Sequence, residues 1–183
     1  MPRALRFPLA FALPFFLAGA AHAQQDFSKV EVKAETLAPG LAMLTGAGGN
    51  LGVSFGKDGV FLVDDQYAPL TEKIRSAVTS LSGGPIRFVL NTHFHGDHTG
   101  GNENLGKTGT LIVAHGNVRG RMSTEQFLAA FGEKVPPSPE AALPVVTFND
   151  TVTFHLNGQE IHAFHVPPAH TDGDAVVHFR GTD

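Results

Sequence analysis

Apolar and polar positions along this chain follow two rhythms. Residues 30–44 alternate loosely and predict one or two strands. Residues 45–50 form a glycine-rich turn, and residues 51–55 predict the next strand. Lys57-Asp58-Gly59 is a tight hairpin turn. Val60-Phe-Leu-Val63 is wholly apolar, as in a strand buried on both faces, and it stops at Asp64-Asp65. Over residues 71–81 the rhythm changes. Ile74, Ala77, Val78 and Leu81 recur at helical spacing, and Ser82-Gly-Gly-Pro85 ends the helix. Residues 86–90 and 110–114 predict two more buried strands, the second followed by a helix over 117–131. Residues 136–139, rich in proline, form a loop.

Residues 151–166 predict a hairpin turning at Asn157-Gly158. A two-residue turn sets Leu156 against Gln159, Phe154 against Ile161 and Val152 against Ala163 on an apolar face. It sets His155 against Glu160 and Thr153 against His162 on a polar one. Residues 175–179 predict a last strand. Strands lead, β-helix-β alternation follows, and more strands close the chain. That order reads as α/β, with sheets buried between helices.

Composition narrows the picture. The 183 residues suffice for one domain with a sizeable core. A net charge of −4 offers no basic field to hold nucleic acid. No cysteine is present, which excludes a disulfide framework and thiolate metal ligands. Arg3 and Arg6 precede an apolar run broken by Pro8 and Pro14, and Ala21-His22-Ala23 follows. This is the three-part pattern of a secretory signal peptide, too short and broken for a good spanning helix. Residues 1–23 are therefore expected to be removed, leaving a periplasmic or secreted domain over 24–183 with no stable membrane insertion. That domain carries 11 basic side chains (13 less Arg3 and Arg6) against 17 acidic ones.

The chemistry gathers behind the strand over 86–90, in His93-Phe-His95-Gly-Asp97-His98. If the strand conformation persists, His93 and His95 point to the same side. Gly96 then lets the chain turn towards Asp97 and His98 at a helix start. Four donors within six residues do not fit one tetrahedral ion comfortably. Split two and two, they suit a pair of neighbouring metals, and imidazole with carboxylate suits zinc, iron or manganese. His115 falls at a strand end, where sites are built, and is a candidate for supporting the site or facing substrate. His155 and His162 fall on the polar hairpin face, and His165 and His178 read as packing or surface. Asp174 either pairs with a ligand histidine or caps a turn. Residues 46–52 lack the G-K-[ST] of a phosphate cradle and read as a flap beside the site.

This H-x-H-x-D-H string, intact here, resembles that of the metallo-β-lactamase superfamily. Gly49-Asn-Leu-Gly-Val53 and Val63-Asp-Asp-Gln66 look most like its exported hydrolases. The resemblance covers residues 30–179. It implies an αββα sandwich, two sheets flanked by helices, made of two similar halves. It implies a first metal site of His93 and His95 completed by His170, within Pro168-Ala-His170-Thr-Asp-Gly-Asp174. Asp97 and His98 begin a second site, and Asp64, with Asp65 as its neighbour, supports the site from behind. The family continues past the last strand with a further histidine for the second site and, in many members, a metal-bridging aspartate. Here the chain ends at Asp183, so the second half reads as incomplete and the chain as C-terminally truncated.

The implied activity follows from the ligands. A metal held by three neutral histidines keeps an open position and acidifies a water towards a pKa of about 7. The hydroxide attacks an electrophilic carbonyl, and Asp97 is the catalytic residue that orients it. This describes a periplasmic hydrolase of a small-molecule ester, thioester, lactone or lactam, using one or two Zn2+ ions, with iron as the other metal. An Asp-His second site is shared by one lactamase subclass, glyoxalase-II-like thioesterases and exported hydrolases, so a general hydrolase is preferred to a lactamase. The alternatives are an iron-dependent persulfide or redox enzyme of the same fold, a β-lactamase, and an inactive metal-binding fragment. Acidic charge and export argue against a nucleic-acid partner.

Overall fold

The computed structural model describes residues 26–82, 84–128 and 132–182. The signal peptide expected over 1–23 and residues 129–131 of the expected helix lie outside them. Four strands open the fold as a meander: β1 (Lys33–Ala38), β2 (Leu41–Thr45), β3 (Leu51–Gly56) and β4 (Gly59–Val63), paired antiparallel in chain order. Helix α1 (Thr71–Ser82) carries the chain back, so that β5 (Ile86–Asn91) runs parallel to β4. Two short helices follow, α2 (Gly96–Thr99) and α3 (Asn102–Gly106), then β6 (Leu111–His115) and α4 (Gly116–Met122). A small hairpin, β7 (Gln126–Leu128) with β8 (Glu133–Val135), precedes β9 (Val146–Phe148). With β6 and β9 added in parallel, the main sheet runs β1-β2-β3-β4-β5-β6-β9. Strands β10 (Thr151–Leu156), β11 (Gln159–His165) and β12 (Ala175–Arg180) make a second, antiparallel sheet.

Alternation along the central strands assigns each side chain to a layer. Val60 and Leu62 of β4, Val89 of β5 and Ile112 of β6 pack with Leu70, Ile74 and Val78, the α1 side of the sheet. Phe61, Leu90 and Val113 face the other way and meet Phe148, Ile161, Ala163 and Ala175 between the sheets. Strand β4 is thus buried on both faces, which is why its sequence is an unbroken apolar run. Phe61 and Phe88 meet the ring of Phe154 edge-on, at centroid distances of 4.8 and 5.5 Å. The result is an α/β sandwich.

The two sheets are tied at both ends. Away from the site, the turns at Asp58 and Asn157 grip each other. The Asp58 N–H donates to Asn157 Oδ1 at 3.0 Å, and the Asn157 N–H donates to Asp58 Oδ2 at 2.8 Å. Asn157 Nδ2 also donates to the Gly59 carbonyl at 2.9 Å. Asn157 takes a φ of +55° and Gly158 of +75°, as the twist of a two-residue hairpin requires. At the other end, the Ala175 N–H donates to the Thr92 carbonyl at 2.9 Å.

The hairpin register matches the expected pairs, Leu156 with Gln159 through Val152 with Ala163. The helix expected over 117–131 is corrected. It stops at Met122, where the Ser123 and Thr124 hydroxyls both donate to the Gly120 carbonyl. Local hydroxyl bonds of this kind compete with helix propagation. The chain beyond turns into β7, and Phe127 stays 64% exposed. Strand β9 is only three residues long, too short for alternation along the chain to mark it. Among the described residues, no helix is long and apolar enough to cross a membrane.

Candidate metal centre

Parallel strands β4, β5 and β6 end along one edge of the main sheet, with Asp64 following β4 and Asn91 and His115 closing β5 and β6. Strand C-termini of an α/β sheet are where sites form. The extended pairing stops at Asn91, so His93 and His95 lie in a run of bends and not on a strand. They are brought together nonetheless, with ring centroids 5.0 Å apart. His170, on the β11–β12 connection, completes a triangle: its ring lies 4.9 Å from that of His93 and 4.8 Å from that of His95. One ring nitrogen from each of the three lies within 4.8 Å of the others. His95 Nδ1 and His170 Nε2 are 3.0 Å apart. Nitrogens held about 2.0–2.1 Å from one tetrahedral zinc stand about 3.3 Å apart, so the donor set fits such an ion.

The electrostatics favour the same use. Burial pushes His93 down to about 4, and its crowding against the His98, His95 and His170 rings adds to the shift. Burial, then His170, also lowers His95. Both rings are therefore neutral near pH 7, the form that binds a metal.

Asp97 and His98, in α2, stand beside this cluster, with the His98 ring 4.1 Å from that of His93. His98 Nδ1 meets Asp64 Oδ2 at 2.8 Å, and His98 Nε2 lies 3.3 Å from Asp97 Oδ2. Burial alone lowers the His98 pKa, but the hydrogen bond and charge of Asp64, aided by Asp97, outweigh it and raise the ring above the ordinary value. Asp64 also accepts from the Thr92 N–H at 2.7 Å and the Thr92 hydroxyl at 2.8 Å. It thus fixes both the entry to the histidine run and the orientation of His98. Among the described residues, no further His, Asp or Glu joins Asp97 and His98 in a group of three.

Asp65 points elsewhere. Its Oδ1 accepts from the Gly101 N–H at 2.9 Å, and burial pushes its carboxyl well above the usual range. The glycine-rich connection after β2 closes over Asp97 and His98. A Cβ on Gly48, whose φ is +82°, would fall 2.8 Å from Asp97 Cβ, and one on Gly49 would fall 2.5 Å from His98 Cε1. Gln66 Nε2 ties this connection down by donating to the Gly49 carbonyl. Asp174 caps the His170 turn: its Oδ2 accepts from the His170 N–H at 2.7 Å and the Thr171 N–H at 2.9 Å.

The structure does not bring His115 against the three-histidine cluster. Its Nδ1 accepts from the Asn117 N–H at the start of α4, its Nε2 donates to the Asn149 carbonyl, and its ring stacks on His165 at 4.0 Å. Sequence reasoning missed a buried amide pair beneath the site. Asn91 and Asn102 exchange hydrogen bonds of 3.1 and 2.9 Å, and Asn91 Nδ2 also donates to the His98 carbonyl. Their only signal was position, one closing a buried strand and one following Gly100-Gly101.

The family model for the metallo-beta-lactamase superfamily matches residues 46–183. The chain belongs to that superfamily. A hydroxyacylglutathione hydrolase of Nitrosococcus oceani is 34% identical over 110 residues, 59% of this chain and 40% of its own length. A metallo-beta-lactamase of Cronobacter sakazakii, described by a HARLDQ motif, superposes with a TM-score of 0.68 at 23% identity, over 80% of this chain and 57% of its own. A subclass B3 metallo-beta-lactamase of Bradyrhizobium japonicum gives 0.67 at 20% identity, over 84% and 59%. This chain thus spans between two fifths and three fifths of the length of these relatives. The structural likenesses place its sandwich among metallo-beta-lactamase folds.

Proposed function

We propose that this metallo-beta-lactamase superfamily member is an exported, metal-dependent hydrolase of a small acyl compound. The observation that carries the reading is the convergence of three imidazole nitrogens, from His93, His95 and His170, within 4.8 Å of one another. These three residues would hold the first metal ion. Asp97 Oδ2 and His98 Nε2, 3.3 Å apart, would offer two donors to a second. When bound, a divalent ion such as zinc supplies Lewis acidity and lowers the pKa of a water towards neutrality.

The protein's own groups do the rest. Asp64 takes the Nδ1 proton of His98 into a hydrogen bond and so leaves the Nε2 lone pair facing Asp97. The Asp97 carboxylate, about one third exposed, is placed to accept a proton from water at the mouth of the site. The closely packed Gly48-Gly49 connection limits access over Asp97 and His98. The compounds named for the relatives, a hydroxyacylglutathione and β-lactams, support an ester, thioester, lactone or lactam as substrate. The amino-terminal pattern of residues 1–23 supports a periplasmic or secreted location.

Elemental analysis of the purified protein, paired with hydrolysis assays on those four substrate classes, tests the reading. Bound zinc with hydrolysis that His95→Ala abolishes is the expected result. Bound iron instead would move the assignment to the redox alternative. A protein that takes up no metal would overturn the ligand assignment.

A further inference from the structure

Helix α4 carries none of the proposed ligands, yet both ligand-bearing loops rest on it. The Arg121 guanidinium lies 6.0 Å from the ring centroid of Phe94, the residue between His93 and His95. The same group pairs with Asp172, two residues beyond His170, with Nε to Oδ1 at 3.2 Å and Nη2 to Oδ2 at 2.9 Å. This two-pronged geometry fixes direction as well as distance. One turn earlier, Asn117 Nδ2 donates to the Asp172 carbonyl at 2.6 Å. Gly173 approaches the helix so closely that a Cβ would fall 2.9 Å from Val118 Cγ2 and 3.1 Å from Val118 N. The helix is itself fixed, at its start by His115 and in its middle by Arg119, which donates to the Pro144 carbonyl.

We propose that Arg121 is a positioning residue that holds His170 at its distance from the His93–His95 pair, its guanidinium carbon over the Phe94 ring and its Nε and Nη2 on Asp172. The inference rests on reading the three histidines as metal ligands. Arg121 and Asp172 are 46% and 34% exposed, so their ion pair adds little to overall stability. Its consequence is local. His170 sits on an exposed loop, and without the pair that loop keeps its Asp174 cap but loses the side-chain link that ties it to the Phe94 segment.

The test is Co2+ binding to the full chain, read by chelator competition and by the visible absorption of the bound ion. Arg121→Met and Asp172→Asn should each weaken the first Co2+ by about tenfold, as loss of a group that orients a ligand does. Each should alter the absorption band, and the double variant should be no weaker than either single one. Arg121→Lys keeps the charge but not the fork, and should recover part of the affinity. The metal-free variants should melt within about 2 °C of the parent. The proposal fails if Arg121→Met binds Co2+ with parental affinity and spectrum, if the two losses add, or if the metal-free variant melts far lower. A parent chain that binds no Co2+ would overturn the ligand reading itself, and the proposal with it.

Discussion

Replacing Asp64 by asparagine separates what this carboxylate does for His98 from what it does for the fold. Asparagine has nearly the same volume and accepts the φ of +63° found here, so the backbone stays in place. One oxygen must still accept from the Thr92 N–H at 2.7 Å. The amide nitrogen then takes the place of Oδ2, 2.8 Å from both the Thr92 hydroxyl and His98 Nδ1. The hydroxyl can turn to accept from it and donate to His93 Nδ1, 3.1 Å away. His98 Nδ1, now facing a donor, must offer a lone pair, so its proton moves to Nε2. That nitrogen faces Asp97 and is closed as a metal ligand. Losing the partner that orients a ligand costs about 10–100-fold in metal affinity, which is about 1.4–2.8 kcal/mol. Stability of the metal-free protein should change by less. A charge-assisted hydrogen bond of about 1.5–3 kcal/mol is lost, but so is the desolvation of a carboxylate only 4% exposed. These two effects oppose each other. Long-range proton–nitrogen NMR of the histidine rings above neutral pH reads the tautomer directly, and zinc titration reads its consequence. A His98 that keeps its Nδ1 proton in the variant would refute the reasoning.

Three further outcomes follow from the packing. Asn157→Gly keeps the left-handed turn but removes two of the three bonds of the Asp58–Asn157 grip, those made by its side chain. Urea unfolding should show a loss of about 1–3 kcal/mol. Lys73 Nζ donates to the carbonyls of Phe27, Ser28 and Val30 at 3.0, 2.8 and 2.7 Å. Lys73→Met should therefore speed amide exchange near residue 30 by about tenfold, a local effect of about 1.4 kcal/mol. Burial, then the stacked His165, lowers His115 below its ordinary 6.5. The unfolded chain then takes up the proton first, so the stabilisation is complete above 6.5 and is lost as pH falls below that value to the lower pKa of the folded ring. His93 acts in the same direction down to about 4, so the difference between His115→Gln and the parent, in urea titrations across this range, isolates the His115 part.

What the sequence made legible is what is local and periodic. The buried run of β4, the pair-by-pair register of the β10–β11 hairpin and the six-residue string from His93 to His98 can each be read within one short, continuous stretch of chain. The helix beyond Met122 failed because Ser123 and Thr124 bond back to Gly120. Which of Asp64 and Asp65 faces the site depends on a left-handed residue at the end of β4, which spacing does not encode. The Asn91–Asn102 exchange and the Arg121–Asp172 pair were illegible for a related reason. Each joins polar residues, 11 and 51 positions apart, whose meeting exists only once the strands are stacked.

The three histidines come from both sides of the sandwich. His93 and His95 follow a strand of the main sheet, and His170, 75 residues beyond His95, follows a strand of the smaller one. Closing a flexible loop of that length costs about 4 kcal/mol in chain entropy. Here the packed core and the ties at Asp58–Asn157 and Thr92–Ala175 meet that cost before any cation arrives. His170 is therefore held at a high effective concentration at the other two rings, and affinity draws on the strength of the whole fold. By the same linkage, a cation joined to all three rings would act as a rivet between the sheets, and a chelator would act as a denaturant directed at their seam.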